Sequence, residues 1–467
     1  MSPPTISTLG QLRESGYTSR SVRDELRANL IEQLKGAAPM FEAIHGYEDT
    51  VIPQLQNAIL AGHDVILLGE RGQAKTRIAR SLTQLLDPWI PVVATSDVND
   101  DPLAPISHAG KAIVAERGDD TPIDWLARDR RYAEKLATPD TTVADLIGEV
   151  DPIKVAEGRY LSNEEIISYG LIPRTNRGIF SLNELPDLPE RIQVGLLNIL
   201  EEQDVQIRGF QVRLPIDIMV IASANPEDYT NRGRIITPLK DRFGSQIRTH
   251  YPESVDLESR IVQQERTHFT IPGIDAVMPS FMQDVVTEIS HHARRSPIVS
   301  QRSGVSVRMT VANTEVLVAT ASRRALHKKE DIAVPRVSDL DAIFASSMGK
   351  LEFETFGEGR DEDALERIIG DAIKLVFLKT VDPSLLDPLL TAFENGLTVT
   401  VSDTADAFSY VHQVSAVESF SDVISSLVTT KLPQEAASAI EFVLEGLHQV
   451  RKVSRRGRAG NETRYSL

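Results

Sequence analysis

The feature that most constrains this chain is a short segment at residues 65–76, Val-Ile-Leu-Leu-Gly-Glu-Arg-Gly-Gln-Ala-Lys-Thr. The usual phosphate-binding pattern is Gly-x-x-x-x-Gly-Lys-Ser/Thr. In it the backbone N–H groups face phosphates, the lysine reaches the outer phosphates and the hydroxyl contacts Mg²⁺. Gly69, Lys75 and Thr76 fit this pattern, whereas Ala74 stands where the second glycine is usual. The segment therefore predicts a nucleotide-binding protein.

The residues around this loop support that prediction. Residues 64–68 are typical of a buried strand, and the apolar residues after the loop fall on one face of a helix. Gly72 adds the backbone freedom to turn N–H groups towards an anion. The residues predicted to hold the phosphates are Gly69, Glu70, Arg71, Gly72, Gln73, Ala74, Lys75 and Thr76, with Thr76 also predicted as a metal ligand. The alternative is an ordinary strand-to-helix turn.

Composition excludes several other classes of protein. The chain has 467 residues, enough for two or three domains, and its 41% hydrophobic and 25% charged content is ordinary for a globular protein. No membrane-length apolar run or signal pattern is present, so we expect a cytoplasmic protein without a membrane partner. The absence of cysteine excludes disulfides and thiolate sites. A net charge of -17 disfavours nucleic acid as a partner, because that binding depends on Lys and Arg.

The patterning predicts a P-loop α/β fold with a parallel sheet and flanking helices, followed by mostly helical regions. Strand-like runs at 65–68, 90–94, 179–182 and 216–222 alternate with helices, which is typical of a parallel sheet. A polar stretch between the second and third runs is expected to lie on the surface. The predicted parts are a helical lead-in over 1–46, a nucleotide-binding domain over 47–255, a helical lid over 256–350, and a helical C-terminal region over 351–467 with a basic tail. Such tails are more often solvated and disordered than docking elements.

A second catalytic element is expected on a strand beside the phosphate loop, where an apolar run usually ends in Asp-Glu. Here the run ends in Asn183 and Glu184. An amide can bind a metal-bound water but carries no negative charge, so Mg²⁺ should be held less tightly at Asn183. Glu184 is the candidate for polarising the attacking water. A plain strand end is the alternative.

Three further polar residues lie where phosphate chemistry would use them. Asn225 follows the apolar strand 216–222, at the carboxyl end where α/β sheets place ligands, although Asn-Pro also opens turns. Arg242 follows the sheet region, and Arg308 begins a helix in the next domain. A lone arginine is commonly a surface residue. Phosphoryl transfer, however, needs cations that neutralise developing charge, and a neighbouring subunit often supplies them.

The order of these elements resembles the Walker A, Walker B, sensor 1, arginine finger and sensor 2 series of AAA+ ATPases. Within that superfamily the chain is similar to the magnesium chelatase I-subunit and MoxR-like group. Alanine before the lysine is common in this group, and Leu-Lys-Asp-Arg-Phe-Gly at 239–244 resembles its Leu-Leu-Asp-Arg-Phe-Gly box. The resemblance covers about residues 40–330. It implies the fold named above, with ATP and Mg²⁺ as cofactors.

The same resemblance implies the roles of individual residues. Glu184 would activate water, Asn225 would position it, Arg242 would act across a subunit interface and Arg308 would report the nucleotide to the lid. Ile44, Gly46 and Tyr47 would lie in the adenine loop. A β-hairpin is expected near 203–215, after a helix over 190–202, because two short alternating runs flank Gly209 there, although an ordinary hairpin gives the same pattern.

The resemblance implies a ring-forming ATP-dependent remodelling motor, expected to be a homo-hexamer, acting on a protein partner that carries a von Willebrand A-type domain. Two alternatives stay open. Asn183 favours a nucleotide-gated scaffold with little hydrolysis, and the family name favours an ATPase subunit of a metal insertion complex. A DNA-translocating motor is disfavoured by the negative charge.

Overall fold

A computed structural model describes residues 2–36, 39–150, 166–206, 213–225, 234–300, 304–354, 360–415, 417–429, 432–459 and 462–467. The chain divides into an N-terminal unit, Met1–His250, and a C-terminal unit, Tyr251–Leu467. Among the described residues, no helix is both long and apolar enough to cross a lipid bilayer.

The N-terminal unit alternates strands with helices. Its helices are α1 Leu9–Glu14, α2 Val22–Lys35, α3 Val51–Ala61, α4 Lys75–Ser81, α5 His108–Arg117, α6 Val143–Leu146, α7 Leu171–Arg174, α8 Glu190–Glu202 and α9 Thr237–Arg242. Its strands are β1 Val65–Leu68, β2 Trp89–Val93, β3 Ile123–Ala127, β4 Tyr132–Leu136, β5 Gly148–Val150, β6 Ile167–Tyr169, β7 Gly178–Asn183, β8 Asp204–Gln206, β9 Arg213–Pro215, β10 Ile218–Ala224 and β11 Ser245–Arg248.

Five parallel strands form the central sheet in the order β11-β1-β10-β7-β4. Successive residues of a strand point to opposite faces, and the buried residues divide accordingly. Val65 and Leu67 pack with α2, α3 and α4 on one face, whereas Ile66 and Leu68 pack with α8 on the other. Both faces are therefore covered, which confirms the predicted α/β fold.

One predicted strand lies outside this sheet. The run at 90–94 belongs to β2, which pairs antiparallel with β3 in a separate two-stranded sheet. The central sheet is completed instead by β4 and β11, neither of which the sequence pattern predicts. The expectation that the intervening stretch lies on the surface is wrong for Asp100, which is fully buried. Its carboxylate accepts hydrogen bonds from the backbone of Ile106 and Ser107 at 2.6 and 2.8 Å.

Helix α2 of the predicted lead-in packs onto the central sheet. Glu25 on α2 and Arg131 before β4 form a buried bidentate ion pair, with both N–O distances 2.6 Å. The Arg131 Nε also donates to the Arg177 carbonyl at 2.7 Å. A buried carboxylate is tolerated here because the guanidinium neutralises it and satisfies both of its oxygens.

A hairpin follows α8, at the place where the sequence predicts one. Strands β8 and β9 pair antiparallel, with Val205 opposite Leu214. The residues between them, 207–212, lie outside the described part of the chain.

The C-terminal unit is mainly helical. Its helices are α10 Val255–Glu265, α11 Ser280–Arg295, α12 Val307–Lys328, α13 Phe344–Ser347, α14 Arg360–Thr380, α15 Leu386–Glu394, α16 Ala407–Val414, α17 Glu418–Leu427 and α18 Pro433–Gln449. Its strands are β12 Asp275–Ala276, β13 Ile332–Ala333, β14 Val399–Ser402, β15 Ser454–Ala459 and β16 Glu462–Ser466.

One hydrophobic core runs through this unit. It includes Phe281 of α11 and Phe442 of α18, whose rings stack with centroids 4.7 Å apart. The two residues belong to the predicted lid and the predicted C-terminal region, so these regions share a core. The four-part division of the chain stays a prediction.

The basic tail is not disordered over 454–459, contrary to expectation. Strand β15 pairs antiparallel with β16, and β16 pairs with β14. Arg455 contacts the carboxylates of Glu445 and Glu366 at 3.2 and 3.3 Å. Part of the tail's positive charge is therefore neutralised within the unit.

Candidate functional site

The phosphate-loop segment lies at the carboxyl end of the parallel sheet. The Gly69 N–H donates to the Ala224 carbonyl at the end of β10, at 3.1 Å. On the other side, the Thr249 N–H donates to the Leu68 carbonyl at 2.8 Å. Two neighbouring strands thus fix the start of the loop. A Cβ on residue 69 would lie 1.8 Å from the Thr249 hydroxyl oxygen, so this approach requires glycine.

The loop turns through left-handed backbone conformations before α4 begins. Gly72 has φ +77° and Ala74 has φ +56°. The left-handed region is ordinary for glycine and costs alanine about 1–2 kcal/mol. Position 74 therefore keeps the backbone that a glycine would adopt, even though alanine replaces it. The N-terminus of α4 follows at once, and its first N–H groups point into the loop, as anion binding requires.

Gln73 ties the loop to the sheet. Its side-chain oxygen accepts hydrogen bonds from the Glu70 N–H at 3.0 Å and from the Thr249 hydroxyl at 2.7 Å. The side chain is buried. Gln73 therefore supports the loop, in addition to its predicted contact with phosphate.

Tyr47 also supports the loop. Its hydroxyl lies 2.9 Å from the Gln73 carbonyl oxygen and 2.7 Å from the His250 carbonyl oxygen. Burial raises the pKa of Tyr47 above its ordinary value, so the hydroxyl keeps its proton and donates it. The predicted adenine loop thus reaches the phosphate loop through Tyr47. Ile44 is buried in the core beside it, and Gly46 has φ +84°. Their contact with adenine stays a prediction.

Lys75 is folded back onto its own loop. Its ammonium donates to the carbonyls of Gly69 and Glu70, the latter at 2.8 Å. The side chain is only 8% exposed. A buried ammonium needs such acceptors, and phosphate oxygens would be stronger ones because they are charged.

Asn183 lies at the carboxyl end of β7, beside Ser223 of β10 and Glu134 of β4. Its amide nitrogen donates to the Glu134 carboxylate at 2.9 Å, and its amide oxygen accepts from the Ser223 hydroxyl at 3.3 Å. Asn183 is 8% exposed. The amide is therefore held at both ends in a polar network.

Glu184 begins a single helical turn with a strained backbone, φ +55° and ψ +49°. Its N–H donates to the Ser223 hydroxyl at 3.3 Å, so Ser223 contacts both residues of the Asn-Glu pair. A non-glycine residue in this conformation costs of order 1–3 kcal/mol, and such residues cluster at functional sites. Asn225 lies one residue beyond the Ala224 carbonyl that holds Gly69, and it is 3% exposed.

Arg242 ends α9 and pairs with Glu201 of α8. Its Nη2 and Nε donate to one Glu201 oxygen at 2.7 and 2.9 Å, and its Nη1 donates to the Pro238 carbonyl at 3.1 Å. The side chain is 30% exposed. Arg308 is exposed in the first turn of α12, in the C-terminal unit. The structure thus brings Asn183, Glu184 and Asn225 to one edge of the sheet with the phosphate loop, and it leaves Arg308 in the other unit.

Three contributors to this site were not predicted from the sequence. Glu134 lies in a polar segment, Tyr-Ala-Glu-Lys-Leu, that carries no apolar run to mark it as a strand. Thr249 and Ser223 are small hydroxyl residues whose role depends on pairing between distant strands. Of the three, only Ser223 carries a signal in the sequence, because it follows the apolar run 216–222 and lies two residues before Asn225.

Comparison with known proteins adds an independent line of evidence. A family model described as the sigma-54 interaction domain matches residues 155–242. The magnesium-chelatase subunit ChlI-1 of Arabidopsis thaliana is 29% identical over 244 residues, which cover 50% of this chain and 54% of that protein. ChlI-2 of the same plant is 27% identical over 252 residues, with coverages of 52% and 56%. The chain thus spans about half the length of the curated relatives it matches.

Among solved structures, the chain resembles a structure of the complex between the BchI and BchD subunits of magnesium chelatase, based on cryo-electron microscopy. The similarity has 19% identity, a TM-score of 0.36, and coverages of 69% of this chain and 97% of that one.

Proposed function

We propose that this chain, an AAA+ ATPase of the magnesium chelatase I-subunit and MoxR-like group, binds ATP with Mg²⁺ at residues 69–76, hydrolyses it, and couples the cycle to remodelling of a protein partner. The single observation that carries this proposal is the position of the loop. It is held between the ends of β10 and β11 by the Gly69–Ala224 and Thr249–Leu68 hydrogen bonds, with α4 starting directly after it.

Each group at the site has a chemical task in this proposal. The Lys75 ammonium and the loop N–H groups would bind the phosphate oxygens. Glu184, on the strained turn after β7, would take up the proton of the attacking water, and the buried Asn225 amide would orient that water. Arg242 would neutralise charge at the active site of a neighbouring subunit.

The residues present fit a magnesium ion. The Thr76 hydroxyl and the Asn183 amide oxygen are oxygen donors, which Mg²⁺ prefers. When bound, the ion would neutralise charge on the phosphate oxygens. Asn183 contributes an amide rather than a carboxylate, and its contacts with Glu134 of β4 and Ser223 of β10 would keep its oxygen in a fixed orientation.

For assembly, we propose a homo-oligomeric ring, taken as hexameric, because Arg242 needs a neighbour to act upon. For the partner, we propose a protein with a von Willebrand A-type domain, in a cytoplasmic setting. This partner is proposed because the chain is similar to magnesium chelatase I-subunits.

Steady-state phosphate release by the purified chain tests the proposal. The wild-type chain should release phosphate from ATP, Lys75→Ala should lose nucleotide binding, and Glu184→Gln should keep binding but lose turnover. Lys111→Ala, on the exposed surface of α5, serves as the matched lysine control and should behave as wild type. A Lys75→Ala chain that binds ATP as tightly as wild type would exclude this site.

A second candidate function is a nucleotide-gated scaffold with little turnover. The observation that favours it is the uncharged Asn183, held by Glu134 and Ser223. Phosphate release measured with and without a candidate partner separates the two functions. A scaffold would bind ATP and change its partner affinity while releasing almost no phosphate in either condition.

A role as the ATPase subunit of a metal insertion complex is a third candidate, favoured by the names of the relatives. Mass spectrometry of proteins that copurify with a Glu184→Gln chain, expected to stay in the ATP state, would distinguish it. Recovery of a large porphyrin-binding subunit would support metal insertion, and recovery of a von Willebrand A-type protein would support remodelling.

A further inference from the structure

Glu134 places a carboxylate beside Asn183, the position where the usual Asp-Glu pattern has a charged aspartate. Strand β4 runs parallel to β7 with Glu134 opposite Ser181 and Leu136 opposite Asn183. Residues 134, 181 and 183 therefore project from one face of the sheet, the face that carries Ile179 and α4. The Glu134 side chain is 24% exposed, and its Oε1 accepts the Asn183 amide hydrogen at 2.9 Å.

The carboxylate is held from the sheet side. The Tyr132 hydroxyl lies 3.1 Å from Glu134 Oε2, and Asn183 holds Oε1. Both contacts come from the central sheet, so the position of Glu134 is fixed by the strands that also carry Asn183. The other strand-end group in this network, Ser223, is uncharged.

Arg80 competes for the same carboxylate. Its Nε and Nη2 donate to the two oxygens of Glu134 at 2.8 and 3.1 Å. The Arg80 side chain is 64% exposed, so solvent screens the guanidinium and can hydrate it when it leaves the carboxylate. Arg80 lies on α4, four residues after Thr76. Because its side chain is exposed, it can rotate into solvent without moving the sheet.

We propose that Glu134 is the displaced carboxylate of the magnesium site, supplying from β4 the negative charge that Asn183 lacks. In this arrangement the Asn183 amide is oriented by Glu134, and the carboxylate attracts the cation and its bound waters near Thr76. Magnesium keeps several waters when it binds, and a carboxylate outside the first ligands can act on the ion through those waters and through the ligands it orients. Glu134 is a positioning residue, and the inference depends on the proposed nucleotide site.

The test measures metal affinity directly. Manganese serves as the probe, and free Mn²⁺ is followed by electron paramagnetic resonance in the presence of the full-length chain and a saturating non-hydrolysable ATP analogue. Glu134→Gln should weaken Mn²⁺ binding by about 10–100-fold, the usual effect of removing an outer-shell partner. Unchanged Mn²⁺ affinity in a folded Glu134→Gln chain would overturn the inference.

Arg80→Gln is the matched control for a structural role. It breaks the same ion pair but leaves the carboxylate, so Mn²⁺ affinity should stay the same or rise. Equal losses in Arg80→Gln and Glu134→Gln would mean that the ion pair only supports the fold, and this result would overturn the inference.

An exchange of the two groups gives a second, independent test. In Asn183→Asp alone, two carboxylates would face each other at hydrogen-bond distance and repel. The double variant Asn183→Asp with Glu134→Gln restores one carboxylate and one amide, so it should recover Mn²⁺ affinity lost in Glu134→Gln. If a folded double variant does not recover Mn²⁺ affinity, residues 134 and 183 do not supply the same negative charge, which contradicts the inference.

Nucleotide binding measured without metal distinguishes a failure of this inference from a failure of the proposed function. Binding of ADP in the presence of EDTA reports the phosphate loop without metal. If the wild-type chain binds no nucleotide, the proposed function fails. If nucleotide binding is intact in every variant and only Mn²⁺ affinity changes, the loss of Mn²⁺ affinity is caused by the removal of the Glu134 charge.

Discussion

Arg242 and Glu201 form an ion pair in which two guanidinium nitrogens share one carboxylate oxygen, at 2.7 and 2.9 Å. The pair joins the end of α9 to the last turn of α8, and both residues belong to the same unit. An arginine that serves a neighbouring active site would have to exchange this carboxylate for phosphate oxygens. We infer that Glu201 sets the resting orientation of Arg242.

We predict that Arg242→Ala lowers steady-state phosphate release by about 10³-fold or more, because an arginine finger contributes at least that much to phosphoryl transfer. ATP binding by the variant should be unaffected. Mixing Arg242→Ala with Glu184→Gln chains should restore part of the activity, since each supplies what the other lacks. The absence of rescue at every mixing ratio would show that Arg242 does not act across an interface.

Tyr47→Phe should destabilise the N-terminal unit by about 1–3 kcal/mol, because two buried carbonyls, of Gln73 and His250, lose their donor. Chemical unfolding followed by tryptophan fluorescence measures this, since Trp89 and Trp125 both lie in this unit. Weakened binding of ATP and GTP by the same factor would support a role in holding the phosphate loop. A change in the preference between the two bases would instead support the predicted adenine contact.

Arg131→Met should destabilise the chain by about 3–5 kcal/mol, because it leaves the Glu25 carboxylate buried without its counter-charge. The double variant Glu25→Leu with Arg131→Met should be more stable than Arg131→Met alone. Chemical unfolding of both variants and wild type checks the order. If the double variant is the less stable one, the ion pair is not the source of the loss.

The stability contributed by Glu258 should disappear in acid. Burial would raise the pKa of this carboxyl, but hydrogen bonds from His291, Arg294 and Thr310 and the Arg294 charge lower it to about 2. Its pKa in the folded chain is thus below the unfolded value, so the contribution is complete above the unfolded pKa and is lost as pH falls towards about 2. The difference in melting temperature between wild type and Glu258→Gln should be largest near neutral pH and shrink between about pH 5 and about pH 2.

Glu265→Gln is the control for that measurement, because Glu265 ends the same helix, α10, and is exposed. It should change the melting temperature little at any pH. A Glu258→Gln difference that stays constant across the acid range would mean that packing, and not the charge of Glu258, sets the stability.

The sequence was sufficient for elements whose signal is local. Strand β1 and helix α8 have the predicted bounds, and the phosphate loop lies between strand and helix as expected, because alternation, helical periodicity and glycine positions are all encoded within a few residues. The predicted hairpin is present in β8 and β9 for the same reason.

Features that depend on distant pairing were not predictable in this way. Strand β4 has a half-buried pattern with a lysine and a glutamate, so its membership in the sheet follows only from its pairing with β7. The Glu134–Asn183 contact joins residues 49 positions apart, and no local pattern marks it. The run at 90–94 was correctly placed as a strand, but an apolar run does not state its pairing partner.

Because Lys75 already donates hydrogen bonds to carbonyls of its own loop, a phosphate ligand would replace those hydrogen bonds rather than add to them. Its ammonium already has the Gly69 and Glu70 carbonyls as acceptors, so an incoming ligand must first displace them. A ligand with a long phosphate chain offers charged oxygens that more than replace two neutral carbonyls, whereas a monophosphate that stops short of the lysine replaces neither. If the proposed nucleotide site is correct, we expect the resting loop to favour ligands whose phosphate chain is long enough to reach Lys75.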